Sequence, residues 1–342
     1  MTHLERLTAA LREGRGFRHK RDIAKVMPHL NDTAGVTAVP NGDDCAVLPV
    51  PGGDGHLLLA IEGLMQDFVK AMPWFAGYSG VMVNLSDIAA MGGRATAVVD
   101  ALWSADEDTA GQVLAGMREA CERYGVPLVG GHTNLQARQG QLAVAVLGHA
   151  RRLLSSFAAR PGDRLLMAVD LRGRWQGDHA FWNASTDAPP QRLREDLALL
   201  PELAEAGLCD AAKDISMAGA LGTLLMMLEC SGVGARIDIE RIPLPSDAPS
   251  WQDDSDEAGS AHLRWLSAFP SFGFVLAVRE ANADEVFRRF AERDIACADI
   301  GVAMPGTKLL LELANAQTTL WDLGSAPFIG SGPSALEPRI AA

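Results

Sequence analysis

The 342-residue chain has only five cysteines, Cys45, Cys121, Cys209, Cys230 and Cys297, and no two of them form a C-x-x-C pair. That spacing argues against a zinc centre, and the odd count suits reduced thiols in a cytoplasmic compartment. No apolar run approaches the roughly 18–20 residues of a membrane span, and the first residues lack a signal-peptide pattern. Positive charge is also scarce: 30 Lys and Arg face 43 Asp and Glu, for a formal net charge of −13. A broad nucleic-acid surface and binding to anionic membranes are both disfavoured by that balance. Any chemistry on an anionic substrate must therefore draw on local cations or on a metal. A Walker A loop is missing too. Gly301 to Lys308 comes near it, but Thr307 precedes Lys308 and a strand pattern follows, so the segment reads as a turn.

With 48% hydrophobic residues the chain can bury a sizeable core, and its length suggests two domains. Residue periodicity predicts strands near 45–48 and 57–61, a helix over 77–91, a strand at 95–103, a helix at 107–124 and strands at 127–130 and 141–148. That ββαβαββ order describes an α/β domain over 41–150. Residues 151–159 connect it to a second α/β domain over 160–324, which Pro161-Gly162-Asp163 opens. Helices are expected there near 190–206, 217–231 and 281–293, with strands near 165–169, 235–239 and 272–278 and a final strand pair around 299–312. Residues 243–261, rich in Pro, Ser and acids, read as an exposed loop, and residues 325–342 as a flexible tail. Within the leader, 1–40, residues 12–25 hold six Arg or Lys against two acids. This basic arm is a candidate to close over phosphates.

The residues that carry chemistry are acids, glycines and hydroxyls. Asp43 and Asp44 stand adjacent before a strand, and Glu62 follows the strand 57–61. Asn84 and Asp87, three residues apart, share one side of a helix whose Val81, Leu85, Ile88 and Ala89 face a core. Gly130 and Gly131 follow another strand, where paired glycines let amides approach a phosphate. Asp214 and Ser216 precede an apolar helix, and either can cap it or hold a ligand at its N-terminus. Hard oxygen ligands without a Cys or His cage suit Mg²⁺ carrying nucleotide phosphates. His179, Phe181 and Trp182, in an irregular segment, read as packing or surface residues.

Five motifs occur in a set order: Gly-Asp-Asp-Cys-Ala-Val from Gly42, Asn-Leu-Ser-Asp-Ile-Ala-Ala-Met-Gly from Asn84, Gly-Gly-His-Thr from Gly130, Pro-Gly-Asp from Pro161 and Lys-Asp-Ile-Ser-Met-Ala-Gly from Lys213. Together they resemble the aminoimidazole ribonucleotide synthetase superfamily, which includes thiamine-monophosphate kinase, selenophosphate synthetase and the ATP-dependent dehydratase of hydrogenase maturation. The resemblance runs from about Asn41 to Gly301. It implies a two-domain fold whose N-terminal sheet forms a barrel across a homodimer, with ATP and Mg²⁺ as cofactors. It further implies Asp43, Asp44, Glu62, Asp87 and Asp214 as metal ligands, and Asn84, Ser86, Gly130, Gly131, Thr133 and Lys20 at the nucleotide. Asp214, Ser216 and His132 would be catalytic. Glu62 stands where the family usually has Asp; in the kinase branch Asp stands where His132 is, and Asp-Gly where Met217-Ala218 is. No N-terminal Cys for selenide chemistry precedes Cys45. The expectation is an ATP-dependent enzyme that activates an oxygen of a small molecule by γ-phosphoryl transfer. The alternatives are a thiamine-monophosphate kinase and a nucleotide-binding regulatory or assembly subunit that has lost turnover.

Overall fold

A computed structural model describes residues 2–30 and 37–332. The leader is helical over most of residues 3–29, whereas 37–40 are irregular. α1 (His3–Glu13) starts at a capping box of Thr2 and Glu5, and α2 (Arg15–Val26) follows after Gly14. Both pack on the second domain. Leu4, Leu7, Leu11 and Phe17 belong to its core, which makes the basic arm a docked element rather than a loose leader. Residues 31–36 of the leader lie outside the described residues.

The N-terminal domain follows the expected order with one added short helix, α3: β1 (Ala46–Pro49), β2 (His56–Leu64), α3 (Gln66–Ala71), α4 (Pro73–Ala90), β3 (Arg94–Trp103), α5 (Glu107–Tyr124), β4 (Leu128–Asn134) and β5 (Gln141–Ala150). Its sheet runs β1-β2-β5-β3-β4, antiparallel except for the β3–β4 pair that α5 connects. α4 and α5 cross at close range. A Cβ on Gly77 would sit 2.0 Å from the Val113 carbonyl oxygen, and one on Gly116 1.9 Å from that of Trp74, so only glycine permits this crossing. α4 begins four residues earlier than expected and is buried on every side, packed on the sheet, α5, α6 and the second domain. The other face of the sheet carries Leu59, Ile61, Val99, Val129 and Leu147, all exposed.

The second domain comprises β6 (Arg164–Val169), β7 (Arg174–Trp175), β8 (Phe181–Asn183), α6 (Pro190–Glu205), β9 (Ala211–Asp214), α7 (Gly219–Ser231), β10 (Gly234–Asp238), α8 (Asp256–Leu266), β11 (Phe269–Pro270), β12 (Gly273–Val278), α9 (Ala283–Ala291), β13 (Ala296–Met304), β14 (Lys308–Leu313) and β15 (Ala316–Asp322). Its main sheet, β15-β14-β10-β13-β6-β12-β9, is covered on both faces. Alternate residues face opposite layers: Leu165 and Met167 join the α7 and α8 layer, while Leu166 and Ala168 join the α6 and α9 layer. Phe181 and Trp182 are buried packing residues.

Two segments read as loop and tail in the sequence carry more structure than expected. Within 243–261, residues from Asp256 onward form α8, because the Ser255 hydroxyl accepts the Ala258 N–H and Asp256 and Glu257 sit favourably in the first turn. The supposed tail is exposed at 325–327 and packed over 328–332. Phe328, Ile329 and Ser331 are buried, while 333–342 lie outside the described residues.

Candidate functional site

α4 carries Asp87 to the seam where its C-terminal turns meet β9, whose last residue is Asp214. The loop before β1 brings Asp44 to the same place. Carboxylate oxygens of Asp44, Asp87 and Asp214 all lie within 4.8 Å of one another, close enough to share one metal ion. Beyond the effect of burial, Asp214 lies close enough to Asp87 to push its carboxyl up by repulsion. Glu62, on the inner face of β2, adds its charge to Asp87 and Asp214, and Lys20 of α2 lies close enough to Glu62 and Asp214 to oppose theirs.

Burial and mutual repulsion push these acids toward the protonated form. Burial is the largest cause at each of them, and it raises Asp44 to about 7 against the opposing pull of Lys213. Asp87 rises well above the ordinary range through burial, Asp214 and Glu62, and Asp214 and Glu62 rise as well. Lys213 stays charged because Asp44 and Asp43 outweigh its burial, and its ammonium pairs with Asp44 Oδ1. Four carboxylates thus face two ammonium groups, a local excess of negative charge that a divalent cation relieves.

The polar atoms left without partners also fit a metal and phosphates. Asp44 Oδ2, Asn84 Oδ1 and Ser216 Oγ are buried with no hydrogen-bond partner among the described residues. Unpaired buried acceptors cost free energy unless a ligand meets them. Neither Asp214 nor Ser216 caps α7. The cap is Ala218, which offers no side-chain acceptor, so no side chain caps this 13-residue helix; of its first-turn amides, that of Gly219 donates to the Ser216 carbonyl (2.8 Å).

The remaining sequence candidates separate. Asp43 is committed elsewhere: its carboxylate accepts the Ser155 hydroxyl (2.8 Å), the Ser156 N–H (2.9 Å) and the Ser156 hydroxyl (2.6 Å). It lies outside the three-carboxylate group and ties the loop to the interdomain connector. Ser86 bonds back to the Met82 carbonyl, and Asn84 Nδ2 to that of Gly80, so only the Asn84 oxygen is free. Gly130, Gly131, His132 and Thr133 sit on the exposed edge strand β4, apart from the acids. Register aligns Glu62, Val144, Asp100 and Gly131 across four strands, which puts Gly131 roughly 14 Å from Glu62 at about 4.8 Å per strand. His132 packs near Trp103 instead. Lys213 is a site residue that the motifs alone do not single out. Its signal was its place beside Asp214 on a short strand: neighbours in a strand face opposite ways, so Asp214 turns toward α4 while Lys213 turns toward α7 and reaches Asp44.

The chain belongs to the AIR synthase related protein family: residues 42–150 match its N-terminal domain and residues 160–313 its C-terminal domain. The uncharacterized protein sll0787 of Synechocystis sp. is 41% identical over 95% of this chain and 97% of its own. A thiamine-monophosphate kinase of Methanospirillum hungatei is 32% identical over 60% of this chain and 71% of its own. Among solved structures, T. maritima PurL complexed with ATP overlays with a TM-score of 0.70 at 18% identity, covering 97% of this chain and 53% of that one. The present chain thus spans about half the length of PurL, and at that identity the likeness shows the two-domain fold alone. No helix among the described residues is long and apolar enough to cross a membrane.

Proposed function

We propose that this protein is an ATP- and Mg²⁺-dependent enzyme that activates an oxygen of a small molecule by γ-phosphoryl transfer. The observation that carries the reading is the convergence of Asp44, Asp87 and Asp214 from three separate segments within 4.8 Å, beside the unpartnered Ser216 hydroxyl. Asp44, Asp87 and Asp214 would hold Mg²⁺, with Glu62 able to join them. Bound there, the ion would neutralise phosphate charge, which is most of what phosphoryl transfer asks of a protein. Lys213 fixes the orientation of Asp44, Lys20 supplies a cation on the arm side, and the unpartnered Ser216 hydroxyl at the uncapped N-terminus of α7 would receive a phosphate or substrate anion. Asp214 and Ser216 would touch the reacting groups.

The exposed apolar face of the N-terminal sheet supports a homodimer, with Leu59, Ile61, Val99, Val129 and Leu147 covered by a second copy. β4 stands at the edge of that face. Gly130, Gly131, His132 and Thr133 would take part in the nucleotide site only through such a dimer.

Purified protein incubated with Mg²⁺·ATP and fractionated metabolites should release ADP only with a particular fraction. Tight ATP binding with no metabolite-stimulated ADP release would favour the nucleotide-binding subunit. The kinase relative makes thiamine monophosphate the first single compound to try, but Met217-Ala218 beside Ser216 speaks against it. Robust thiamine diphosphate formation would replace the present reading with the kinase.

A further inference from the structure

Three consecutive residues at the C-terminal end of α7 each hold a different segment of the chain. Glu229 is a buried carboxylate caged by amides: the N–H groups of Phe328 and Gly330 donate to Oε1 (3.0 and 3.1 Å) and that of Ile329 to Oε2 (2.6 Å). Successive backbone N–H groups turned toward one anion form a nest, and here the C-terminal segment folds into one around Glu229. Cys230 Sγ donates to the Gly42 carbonyl at 3.6 Å. Ser231 Oγ donates to the Ser156 carbonyl (2.6 Å) and accepts the Ala159 N–H (3.0 Å).

The strap held by Glu229 then reaches the acid loop. Ser331 Oγ donates to the Asn41 carbonyl at 2.6 Å, one residue before Gly42. Gly42 has φ of +128°, and a Cβ there would lie 2.2 Å from Ser331 Oγ, so the strap and the loop pass in direct contact. Phe328 anchors the strap between Phe17 of α2 and Trp321 of β15. On its other side, the loop is tied through Asp43 to Ser155 and Ser156, which Ser231 holds in turn. Asp44 is therefore suspended between two ties that converge on one end of α7.

We propose that Glu229 is a positioning residue for the acidic site: by caging the 328–330 amides it holds the C-terminal strap against Asn41 and Gly42 and so sets Asp44 against Asp87 and Asp214. Its consequence for metal binding rests on the reading of that site as a Mg²⁺ site; its consequence for the loop does not. In Glu229→Gln the amide keeps one acceptor oxygen but turns an NH₂ toward N–H donors, which breaks the cage without removing bulk.

The test uses the full chain. In chelator, hydrogen exchange of residues 41–47 should be at least about tenfold faster in Glu229→Gln than in the unaltered protein, with α5 unchanged. Mn²⁺ affinity, read from the free-ion paramagnetic resonance signal, should fall by about fivefold or more. Ser331→Ala should shift both readings in the same direction, and the double variant should be no worse than Glu229→Gln alone, as one continuous tie requires. Exchange at 41–47 within about twofold of the unaltered protein in folded Glu229→Gln overturns the proposal. If that variant does not fold, unchanged exchange in Ser331→Ala overturns it equally. Should the unaltered protein bind no Mn²⁺, the metal reading of the site falls, and the exchange measurement still decides the role of Glu229.

Discussion

Asp87→Asn should have opposite effects on the metal-free and the metal-bound protein. In the metal-free state Asp87 shares a buried cluster with Asp44 and Asp214, whose oxygens lie within 4.8 Å. Two full charges at that distance repel by about 3.5 kcal/mol at an effective dielectric constant of 20. Proton uptake limits this cost: a carboxyl raised to about 7, like Asp44, escapes the repulsion at pH 8 for about 1.4 kcal/mol. Asn removes the charge with little change of shape and carries an NH₂ that can donate to a neighbouring carboxylate. The variant in chelator at pH 8 should therefore be more stable by roughly 1–3 kcal/mol, measured as a shift in urea midpoint at unchanged slope. In the metal-bound state one of three carboxylate ligands is gone. Mg²⁺-dependent ATP affinity, by titration calorimetry, should fall by more than about 1.4 kcal/mol, a factor of ten. Equal destabilisation with and without Mg²⁺, together with unchanged affinity, would refute the site and leave Asp87 a structural residue.

Asp43→Asn should behave differently, because its carboxylate bonds Ser155 and Ser156 rather than joining the cluster; urea unfolding should show a loss of about 2 kcal/mol with and without metal. The pH dependence of the chelated protein follows from the raised carboxyls of Asp44, Asp87, Asp214, Glu62 and Glu229. A carboxyl whose folded pKa lies above its unfolded value adds stability below the unfolded value, near 4, and loses it as pH rises through the folded value. Melting temperature in chelator should thus fall from pH 5.5 to pH 8, and Mg²⁺ should flatten that slope; a rise with pH in chelator would contradict the assigned burial. Ile61→Glu, at a side chain 69% exposed on the bare sheet face, should give a folded monomer by light scattering where the unaltered protein gives a dimer. A monomer mass for the unaltered protein at micromolar concentration would remove the dimer.

The sequence by itself determined the residue types of the site and the order of the elements. Periodicity set out the N-terminal ββαβαββ pattern, and the motifs named Asp44, Asp87 and Asp214, because strand and helix repeats are local and an acid within an apolar pattern stands out. What it could not determine was which acids meet. Asp43 and Asp44 are neighbours in the chain, yet one turns to the connector and the other to α4 and β9, a choice made by Ser155, Ser156 and Lys213, all more than 100 residues away. Gly130 to Thr133 carry a phosphate-loop pattern, but β3 and β5 lie between β4 and β2 and carry it away from the acids, which only the strand order decides. Glu229, in an apolar helix, and the packed strap at 328–332 gave no local signal. A carboxylate caged by backbone amides shows only when distant chain segments meet, since amides are present at nearly every residue and the fold alone decides which of them turn toward an acid.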